Sequence, residues 1–514
     1  MDVFLVYVRD EDYYQMLPEE LGGSKPGDER VKVMAFPPLG IETLAPVIRQ
    51  HGHQVKIFDT CHPQMKAKHI AQAAKDEQPD VIALSFLSTT TYPETKRLAE
   101  QLKTAAPEIP IILGGVFAST NAENILNDCP YADCIGVGEG EELLPDYLKN
   151  MKKPETVDGL VWRKGDTVVH NKPRPIIRDL DQFPYPDRES LPIDYIESLP
   201  LDVPAVLSLD KFCTVQTSRG CPYACIYCDI PSLSNGKWRS RSVEHILGEM
   251  QQLNDAGYRS ILLTDDHFLL KRKRINEICT GMIERRFQFH WGCEGRVDSV
   301  GVDQLPIMNK ANCTFLAYGI EAGTQKVLDR LNKNQTLEQI EYAVSEAKKH
   351  GIKRTHGFFL VGSPNESEDD IMESFRFAAR LKLDTFGFNR LCVYRGTPLW
   401  KEYVDRGIID DERDWSKWFK CSDIDPTILP SEVVNRARMK GYGLLFFRRI
   451  FFRPIQTFKL LHTFGQYMKA SDIFKLIASP FRQRALTRAP ELPENMLSLD
   501  MEDPDSGKLG HVPD

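Results

Sequence analysis

Three cysteines, Cys221, Cys225 and Cys228, lie close together in the stretch TSRGCPYACIYCDIP. Clustered thiols in a chain that shows no leader sequence point to a metal or to catalysis before disulfides. Structural zinc prefers four closed ligands, and no second Cys/His pair at finger spacing lies nearby. The paired ferredoxin spacing is also absent. Three thiolates on a four-iron cluster would leave one iron free for an exogenous ligand, whereas zinc binding and buried structural cysteines remain the alternatives.

The cysteines follow the first of six predicted strands between residues 211 and 420. Helical stretches that end in Gly, such as SVEHILGEMQQLNDAG, separate these strands. Six such repeats predict a second parallel sheet that curves into a partial (β/α)6 barrel, with its active site at the carboxyl ends of the strands. The predicted strands are CTVQTSR, SILLTDD, FHWGCEG, TFLAYGI, THGFFLVG and TFGFNRLCV.

The N-terminal part of the chain also alternates short apolar strands with helical stretches. This alternation predicts an α/β fold of Rossmann-like type, in which a parallel sheet is covered by helices on both faces. Ligands bind such sheets outside the carboxyl ends of the strands, so the loops after Val8, Asp59, Ser85 and Gly114 are the expected place for one.

Changes of composition predict four segments along the chain. Residues 1–150 form the Rossmann-like domain, and 151–205 form a proline-punctuated linker with a small hairpin around Gly165. Residues 206–420 form the barrel. The pattern in 421–514 is mainly helical and ends in a polar, disordered tail.

Composition excludes several classes of function. A net charge of −8 argues against a dedicated nucleic-acid binder. The N-terminus reads as a strand and not as a signal peptide, and no apolar run is long enough to span a membrane. We therefore expect a cytoplasmic protein with no nucleic-acid partner.

The motif CPYACIYC resembles the C-x3-C-x2-C loop of the radical S-adenosylmethionine (SAM) superfamily. The resemblance implies that Cys221, Cys225 and Cys228 hold a [4Fe–4S] cluster whose free iron chelates SAM, and that Tyr227 lies against the adenine. Reductive cleavage of SAM would give a 5′-deoxyadenosyl radical that abstracts hydrogen from an unactivated carbon. Such an enzyme needs an electron donor, such as a flavodoxin or a ferredoxin.

Further motifs of the superfamily follow in the expected order. LLTDDHF, WGCEGRVD, GIEAG and FFLVGSPNE resemble the motifs at the ends of later barrel strands. The resemblance implies SAM contacts for Asp265, Asp266, Glu294, Arg296 and Glu321. The two aspartates could instead cap the following helix, and Glu294 could form a structural ion pair with Arg296.

The first domain is similar to the cobalamin-binding domain that is fused to many radical SAM enzymes. The similarity rests on FPPLGIETLAPVIRQHGHQVKIFD, LSFLSTTTY, LGGVFAST and GVGEGEELLPDYL. The Asp-x-His-x-x-Gly motif is missing, so cobalamin is expected to bind without a histidine on its lower face. Glycine turns would let backbone approach the corrin ring. The implied cobalamin contacts are Ser85, Ser88, Thr89, Gly114, Gly115, Gly138 and Glu139.

Together the two resemblances imply a cobalamin-dependent enzyme that methylates an unactivated carbon of a small molecule. A radical SAM enzyme that closes or contracts a ring, with or without cobalamin, is the alternative enzyme. An iron–sulfur electron carrier is the alternative that is not an enzyme. The segment 441–486 combines aromatic and basic residues, which fits helices over the barrel or peripheral membrane contact. Similar tails in relatives favour a lipophilic substrate.

Overall fold

The computed structural model describes residues 1–9, 36–62, 65–191, 211–299, 301, 303–417 and 429–452. Within these ranges no helix has both the length and the apolar character needed to cross a membrane. Two large sheets dominate the described part of the chain, and each is built mainly from parallel strands.

The first sheet has seven strands in the order β2-β1-β3-β4-β5-β6-β7, and its first five strands are parallel. Side chains of β1 alternate between its faces, so Phe4 and Val6 enter one core while Val3 and Leu5 enter the other. The elements are β1 (Asp2–Tyr7), α1 (Leu39–Gln50), β2 (Gln54–Asp59), α2 (Ala67–Glu77), β3 (Val81–Ser85), α3 (Tyr92–Ala105), β4 (Ile111–Gly114), α4 (Val116–Thr120), α5 (Ala122–Asp128), β5 (Cys134–Gly136), α6 (Gly140–Asn150), β6 (Leu160–Lys164) and β7 (Thr167–His170).

Part of the predicted linker belongs to the first sheet. β6 pairs antiparallel with β5, and β7 pairs antiparallel with β6. Gly165 turns the hairpin with a φ of 62°. The sequence predicts the hairpin itself but not its pairing with β5, because an antiparallel edge strand leaves no distinctive local pattern.

The second sheet contains six parallel strands in the order β15-β14-β13-β12-β11-β8, as expected for the predicted partial (β/α)6 barrel. Its elements are β8 (Phe212–Val215), β9 (Ser218–Arg219), α7 (Ile230–Ser234), β10 (Arg239–Ser240), α8 (Val243–Asp255), β11 (Ser260–Leu263), α9 (Arg272–Glu284), β12 (His290–Gly295), α10 (Gln304–Lys310), β13 (Cys313–Glu321), α11 (Gln325–Arg330), α12 (Leu337–Lys349), β14 (Arg354–Val361), α13 (Glu368–Arg380), β15 (Thr385–Arg390) and α14 (Pro398–Asp405).

The interior of the barrel is packed at one end. Phe212, Leu262, Phe315 and Ala317 form a small buried cluster from neighbouring strands. Three of these residues lie near the start or middle of their strands. The carboxyl ends of the strands are therefore left for the loops and for a ligand.

The helix α15 (Ser431–Phe452) packs against α13 on the outside of the barrel. Gly441 allows this close approach, because a Cβ there would lie 2.2 Å from the ring of Phe375. The Tyr442 hydroxyl accepts a hydrogen bond from the backbone N–H of Phe388 at 3.0 Å. The described part of the predicted helical region is thus a structural cover of the barrel, and residues 453–486 of the predicted basic and aromatic segment lie outside the described residues.

Candidate active site

We call the segment 220–228, which carries Cys221, Cys225 and Cys228, the cysteine loop. It begins directly after β9 with Gly220, a position that only glycine can occupy. Gly220 has a φ of 87°, and a Cβ there would lie 2.2 Å from the carbonyl oxygen of Lys237. Its N–H donates to a carboxylate oxygen of Asp266 at 2.6 Å. The residue that precedes Cys221 is thus fixed by steric demand and by an acid from the next strand.

A polar loop after α11 braces the same cysteine loop from the other side. Asn332 Nδ2 donates to the carbonyl of Ala224 at 2.6 Å, and the N–H of Ile226 donates to the carbonyl of Leu331 at 3.2 Å. These contacts hold the backbone on both sides of Cys225. Sequence reasoning missed this loop, although its run LNKNQ, rich in polar residues that tolerate a positive φ, was a usable signal.

The three thiols of this loop lie near enough to affect one another's ionisation, and thiolates are the donors that hold iron–sulfur clusters in proteins. Cys225 is buried, and Cys221 and Cys228 are half-buried. Burial, with the nearby Asp229 and the other two thiols, raises the pKa of Cys228 to about 12. Three thiolates so close together therefore need a positively charged partner, which the irons of a cluster provide.

Glu294 lies on the inward face of β12, where it pairs in register with the interior residue Ala317. Burial raises its pKa to about 7. Its side chain nevertheless keeps a large accessible area, as do the inward-facing Thr264 and Asn389. Both findings follow from its position: the barrel walls surround Glu294, but its carboxyl group opens onto the space at the carboxyl end of the barrel. No hydrogen bond to Glu294 is found within the described ranges, so the carboxyl is available to a ligand.

Glu321 lies beside Tyr227 and Lys333. Lys333 Nζ lies 2.7 Å from a carboxylate oxygen of Glu321, and both side chains are buried. Burial and the negative charge of Glu321 raise the pKa of Tyr227 well above its usual value. Gly319 makes room for the pair, because a Cβ there would lie 2.7 Å from Glu321 Oε1. The sequence analysis did not identify Lys333.

Arg296 turns toward the cysteine loop and forms no ion pair with Glu294. It forms two hydrogen bonds with Asp298, at 3.0 and 2.8 Å, and donates to the carbonyl of Lys333 at 2.6 Å. Its guanidinium carbon lies 3.8 Å from the centre of the Tyr223 ring. The alternative of a Glu294–Arg296 ion pair is therefore wrong.

The two aspartates after β11 differ in their surroundings. Asp265 is buried and accepts hydrogen bonds from the backbone and hydroxyl of Thr217 and from the hydroxyl of Ser218. Asp266 is exposed and accepts from Gly220. Both hold the strand that leads into the cysteine loop, and of the two carboxylates only Asp266 remains open to a ligand.

The glycines predicted to face a corrin ring fall into two groups. A Cβ on Gly114 or Gly138 would meet nothing within 4 Å, so backbone at both positions faces open space. Gly115 is different, because its Cβ would lie 2.1 Å from the carbonyl oxygen of Phe86 and its φ is 106°. Packing within the domain thus suffices to explain Gly115, whereas the open edge near Gly114 fits a flat macrocycle.

The hydroxylic residues of the first domain lie at the same sheet edge. Ser85 ends β3, and Ser88 and Thr89 form a tight hydrogen-bonded turn in front of α3. The carboxylate of Glu139 binds Arg219 and Arg239 of the second domain. Its predicted role in contacting the cofactor through its side chain is therefore revised.

A cavity of about 280 Å³ separates the two domains at these edges. Ser88, Thr89 and Phe117 line it from the first domain, and Asp229, next to Cys228, lines it from the second. Aromatic side chains form much of the remaining wall. These and the other lining residues from the later part of the chain are Val393, Tyr394, Arg395, Trp400, Trp415 and Lys417.

Comparison with known proteins assigns both domains. The B12 binding domain model matches residues 33–148, and the Radical SAM superfamily model matches residues 215–378. The matches cover the carboxyl edge of the first sheet and the cysteine loop with most of the barrel strands.

Several curated relatives align with most of the chain. An uncharacterized methyltransferase from Pyrococcus horikoshii is 29% identical over 429 residues, which is 82% of this chain and 90% of the relative. An anaerobic magnesium-protoporphyrin IX monomethyl ester cyclase from Cereibacter sphaeroides is 26% identical over 79% of this chain and 66% of the relative. A hopanoid C-3 methylase from Methylococcus capsulatus is 26% identical over 60% and 58%.

The fold also matches a solved structure, the radical SAM methyltransferase TsrM from Kitasatospora setae with cobalamin and a [4Fe–4S] cluster bound. The TM-score is 0.65, at 16% sequence identity, and the match covers 79% of this chain and 78% of TsrM. Domain models, relatives and fold agree with the predicted order of the two domains. The chain therefore combines a B12 binding domain with a radical SAM domain, and its fold matches that of TsrM, an enzyme solved with cobalamin and a [4Fe–4S] cluster bound.

Proposed function

We propose that this enzyme methylates an unactivated carbon of a small molecule that binds in the cavity between the two domains. The observation that carries the proposal is the position of this cavity. Asp229, next to Cys228, bounds it on one side. Ser88 and Thr89, at the sheet edge where cobalamin is proposed to bind, bound it on the other. A substrate held there faces both cofactor sites at once.

When they are bound, the cluster and SAM supply the radical and cobalamin supplies the methyl group. The chain itself holds and orients the participants. Cys221, Cys225 and Cys228 are the proposed cluster ligands. Glu294 offers a carboxylate that would accept a hydrogen bond from the amino group of SAM, because it faces the open end of the barrel and, among the described residues, has no hydrogen-bond partner there.

The remaining predicted SAM contacts have separate proposed tasks. Tyr227 presents an aromatic face toward the adenine, while the Glu321–Lys333 pair offers polar contacts to the ribose. Asp266 contributes its free oxygen at the loop entrance, and Asp265 positions the strand beneath it. Arg296 acts on the cluster side of the site and not on the substrate.

In the first domain, we propose that Gly114 and Gly138 provide the open backbone edge for the corrin. Ser85, Ser88 and Thr89 would donate hydrogen bonds to the corrin side chains or to the nucleotide tail. Gly115 shapes the loop that presents this edge. His62 follows β2 at the carboxyl edge of this sheet, but it stands in DTCHPQ and not in an Asp-x-His-x-x-Gly motif, so we propose that the cobalt has no histidine ligand on its lower face.

A lipophilic substrate is supported by the aromatic wall of the cavity. The ring planes of Phe117 and Trp415 meet at 18°, with their centres 6.2 Å apart. Leu87 and Tyr394, two large side chains that are exposed, also line it. The methylase relative named for hopanoids supports the same class of substrate. We place the enzyme in the cytoplasm, with a flavodoxin or ferredoxin as electron donor and peripheral contact with the membrane that holds such a substrate.

An anaerobic assay tests the proposal. The reconstituted enzyme is given SAM, a strong reductant, hydroxocobalamin and candidate lipids or tetrapyrroles, and products are examined by mass spectrometry. Methylation predicts a product that carries one extra methyl group, together with S-adenosylhomocysteine and 5′-deoxyadenosine. The Cys225→Ala variant is the control and yields none of these products.

Ring closure is a second candidate, because the relatives include an anaerobic magnesium-protoporphyrin cyclase. The same assay separates the two reactions. A product without the added methyl group, formed with 5′-deoxyadenosine but without S-adenosylhomocysteine, would overturn methylation in favour of cyclisation.

A further inference from the structure

An ionic network joins the turn after β5 to the strand that enters the cysteine loop. Glu139 accepts hydrogen bonds from Arg239 Nη1, at 3.0 and 2.8 Å, and from Arg219 Nη1, at 3.0 Å. The backbone N–H of Ile177 donates to the same carboxylate at 2.8 Å. Glu141, in the first turn of α6, binds the other end of Arg219 at 2.5 Å. Two carboxylates of the first domain thus meet two guanidinium groups of the second.

The two arginines depend on these carboxylates. Arg219 on β9 and Arg239 on β10 are direct cross-strand partners in a two-stranded antiparallel ladder. Like charges directly opposite each other destabilise such a ladder. Burial opposes ionisation of Glu139, but the two arginines lower its pKa, so the carboxylate stays charged between them. Without Glu139, Arg239 would lose the carboxylate that it binds, and Arg219 would keep only Glu141.

The ladder is also the entrance to the proposed cluster site. Arg219 is followed directly by Gly220 and Cys221, and Gly220 is tied both to Asp266 and, by its lack of a Cβ, to Lys237. Any displacement of β9 should therefore displace Cys221 by a similar amount. On the other side, Glu139 follows directly after Gly138, which lies on the sheet edge that fits the corrin.

We propose that Glu139, Glu141, Arg219 and Arg239 are positioning residues that fix the cobalamin domain relative to the iron–sulfur cluster. This inference rests on the proposed function, because it takes both cofactors to occupy the sites described above. The network sets the separation and mutual orientation of the two cofactors, and it touches neither of them. Short carboxylate-to-guanidinium bridges suit this task because the planar, forked geometry of the guanidinium group tolerates little rotation.

Hydrogen–deuterium exchange of the full chain, reconstituted with the cluster, gives the first test. In Glu139→Gln we expect amides of residues 216–241 to exchange on the order of tenfold faster than in the parent. The control is Asp146→Asn, which removes the Asp146–Arg174 bridge, a partly buried pair outside this interface. Unchanged exchange over 216–241 in Glu139→Gln would overturn the inference, as would equal acceleration there in the control. If Glu139→Gln does not fold, Arg239→Lys, which keeps the charge but loses the fork, carries the same comparison.

Pulsed electron paramagnetic resonance gives the second test. It measures the distance between cob(II)alamin and the reduced cluster. The parent should give one narrow distance, and Glu139→Gln a broadened or second distance at unchanged cofactor content. An unchanged narrow distance would overturn the inference. If the parent retains no cobalamin, the proposed function fails, while the exchange experiment still decides whether Glu139 docks the two domains.

Discussion

Arg296 Nη1 lies 3.8 Å from Sγ of Cys225. This places a cation beside a proposed cluster ligand, in a position that Asp298 and the carbonyl of Lys333 hold in place. The reduced cluster carries one more negative charge than the oxidised cluster. A fixed cation at this distance therefore favours reduction, which is the step that precedes SAM cleavage.

We expect Arg296→Gln to lower the reduction potential of the cluster by on the order of 60 mV, a tenfold shift for one electron. The substitution also leaves the negative charge of Asp298 near the cluster without its arginine partner, which should lower the reduction potential further. Arg296→Lys retains the charge and should shift the potential less. A redox titration followed by electron paramagnetic resonance measures this, and equal potentials for the parent and the Gln variant would contradict the prediction.

Replacing any one of Cys221, Cys225 and Cys228 with Ala should abolish SAM cleavage, because each thiolate is proposed to bind a different iron. Cys279→Ala is a matched control, since this thiol is buried among apolar residues of the barrel core. It should cost stability but leave 5′-deoxyadenosine formation intact. If a variant that lacks one of these three cysteines still forms 5′-deoxyadenosine under strong reduction, the cluster assignment is wrong.

SAM affinity should depend on the ionisation of Glu294. Its pKa is raised by burial to about 7, so the carboxylate that attracts the SAM amino group is lost as the pH falls below that value. We expect affinity to weaken by up to about tenfold per pH unit below 7 and to be level above it. In Glu294→Gln the affinity should be lower at pH 8 and nearly independent of pH. Equilibrium binding with the cluster-loaded protein measures both profiles.

The same pKa shift predicts the pH dependence of stability. The unfolded chain releases the Glu294 proton near pH 4.5, whereas the folded protein holds it until about pH 7. The stability that the protonated group contributes is therefore present below pH 4.5 and is lost as the pH rises through 7. Glu294→Gln should melt higher than the parent at pH 8 and close to it at pH 4. A melting temperature that differs equally at both pH values would contradict this.

Gly114 and Gly115 should separate cofactor binding from folding. Gly115→Ala places a Cβ 2.1 Å from the Phe86 carbonyl at a positive φ, and we expect it to destabilise the first domain by about 3 kcal/mol. Gly114→Val enters open space, so it should leave the melting temperature nearly unchanged and weaken cobalamin binding. Equal cobalamin content in Gly114→Val and the parent would argue against a corrin at this edge.

Much of the fold could be predicted from local patterns, because apolar residues recur at a characteristic spacing in buried strands and in amphipathic helices. The cysteine spacing likewise stands out locally, and the comparisons confirm the predicted family and fold class. The roles of Glu139, Lys333 and Arg296 were out of reach for a physical reason. Each depends on contacts that only the tertiary fold determines, and a charged residue looks the same in sequence whether it meets a ligand or another charged side chain.

The hairpin formed by β6 and β7 has a consequence for chimeric enzymes. A transplanted first domain that ends at residue 150 would leave behind the two antiparallel strands that cover its β5. The bared strand would then present unpaired N–H and C=O groups to neighbouring molecules, which promotes aggregation. A junction just after residue 171 keeps these strands with their sheet, and it is where a transplanted cobalamin domain should resist aggregation.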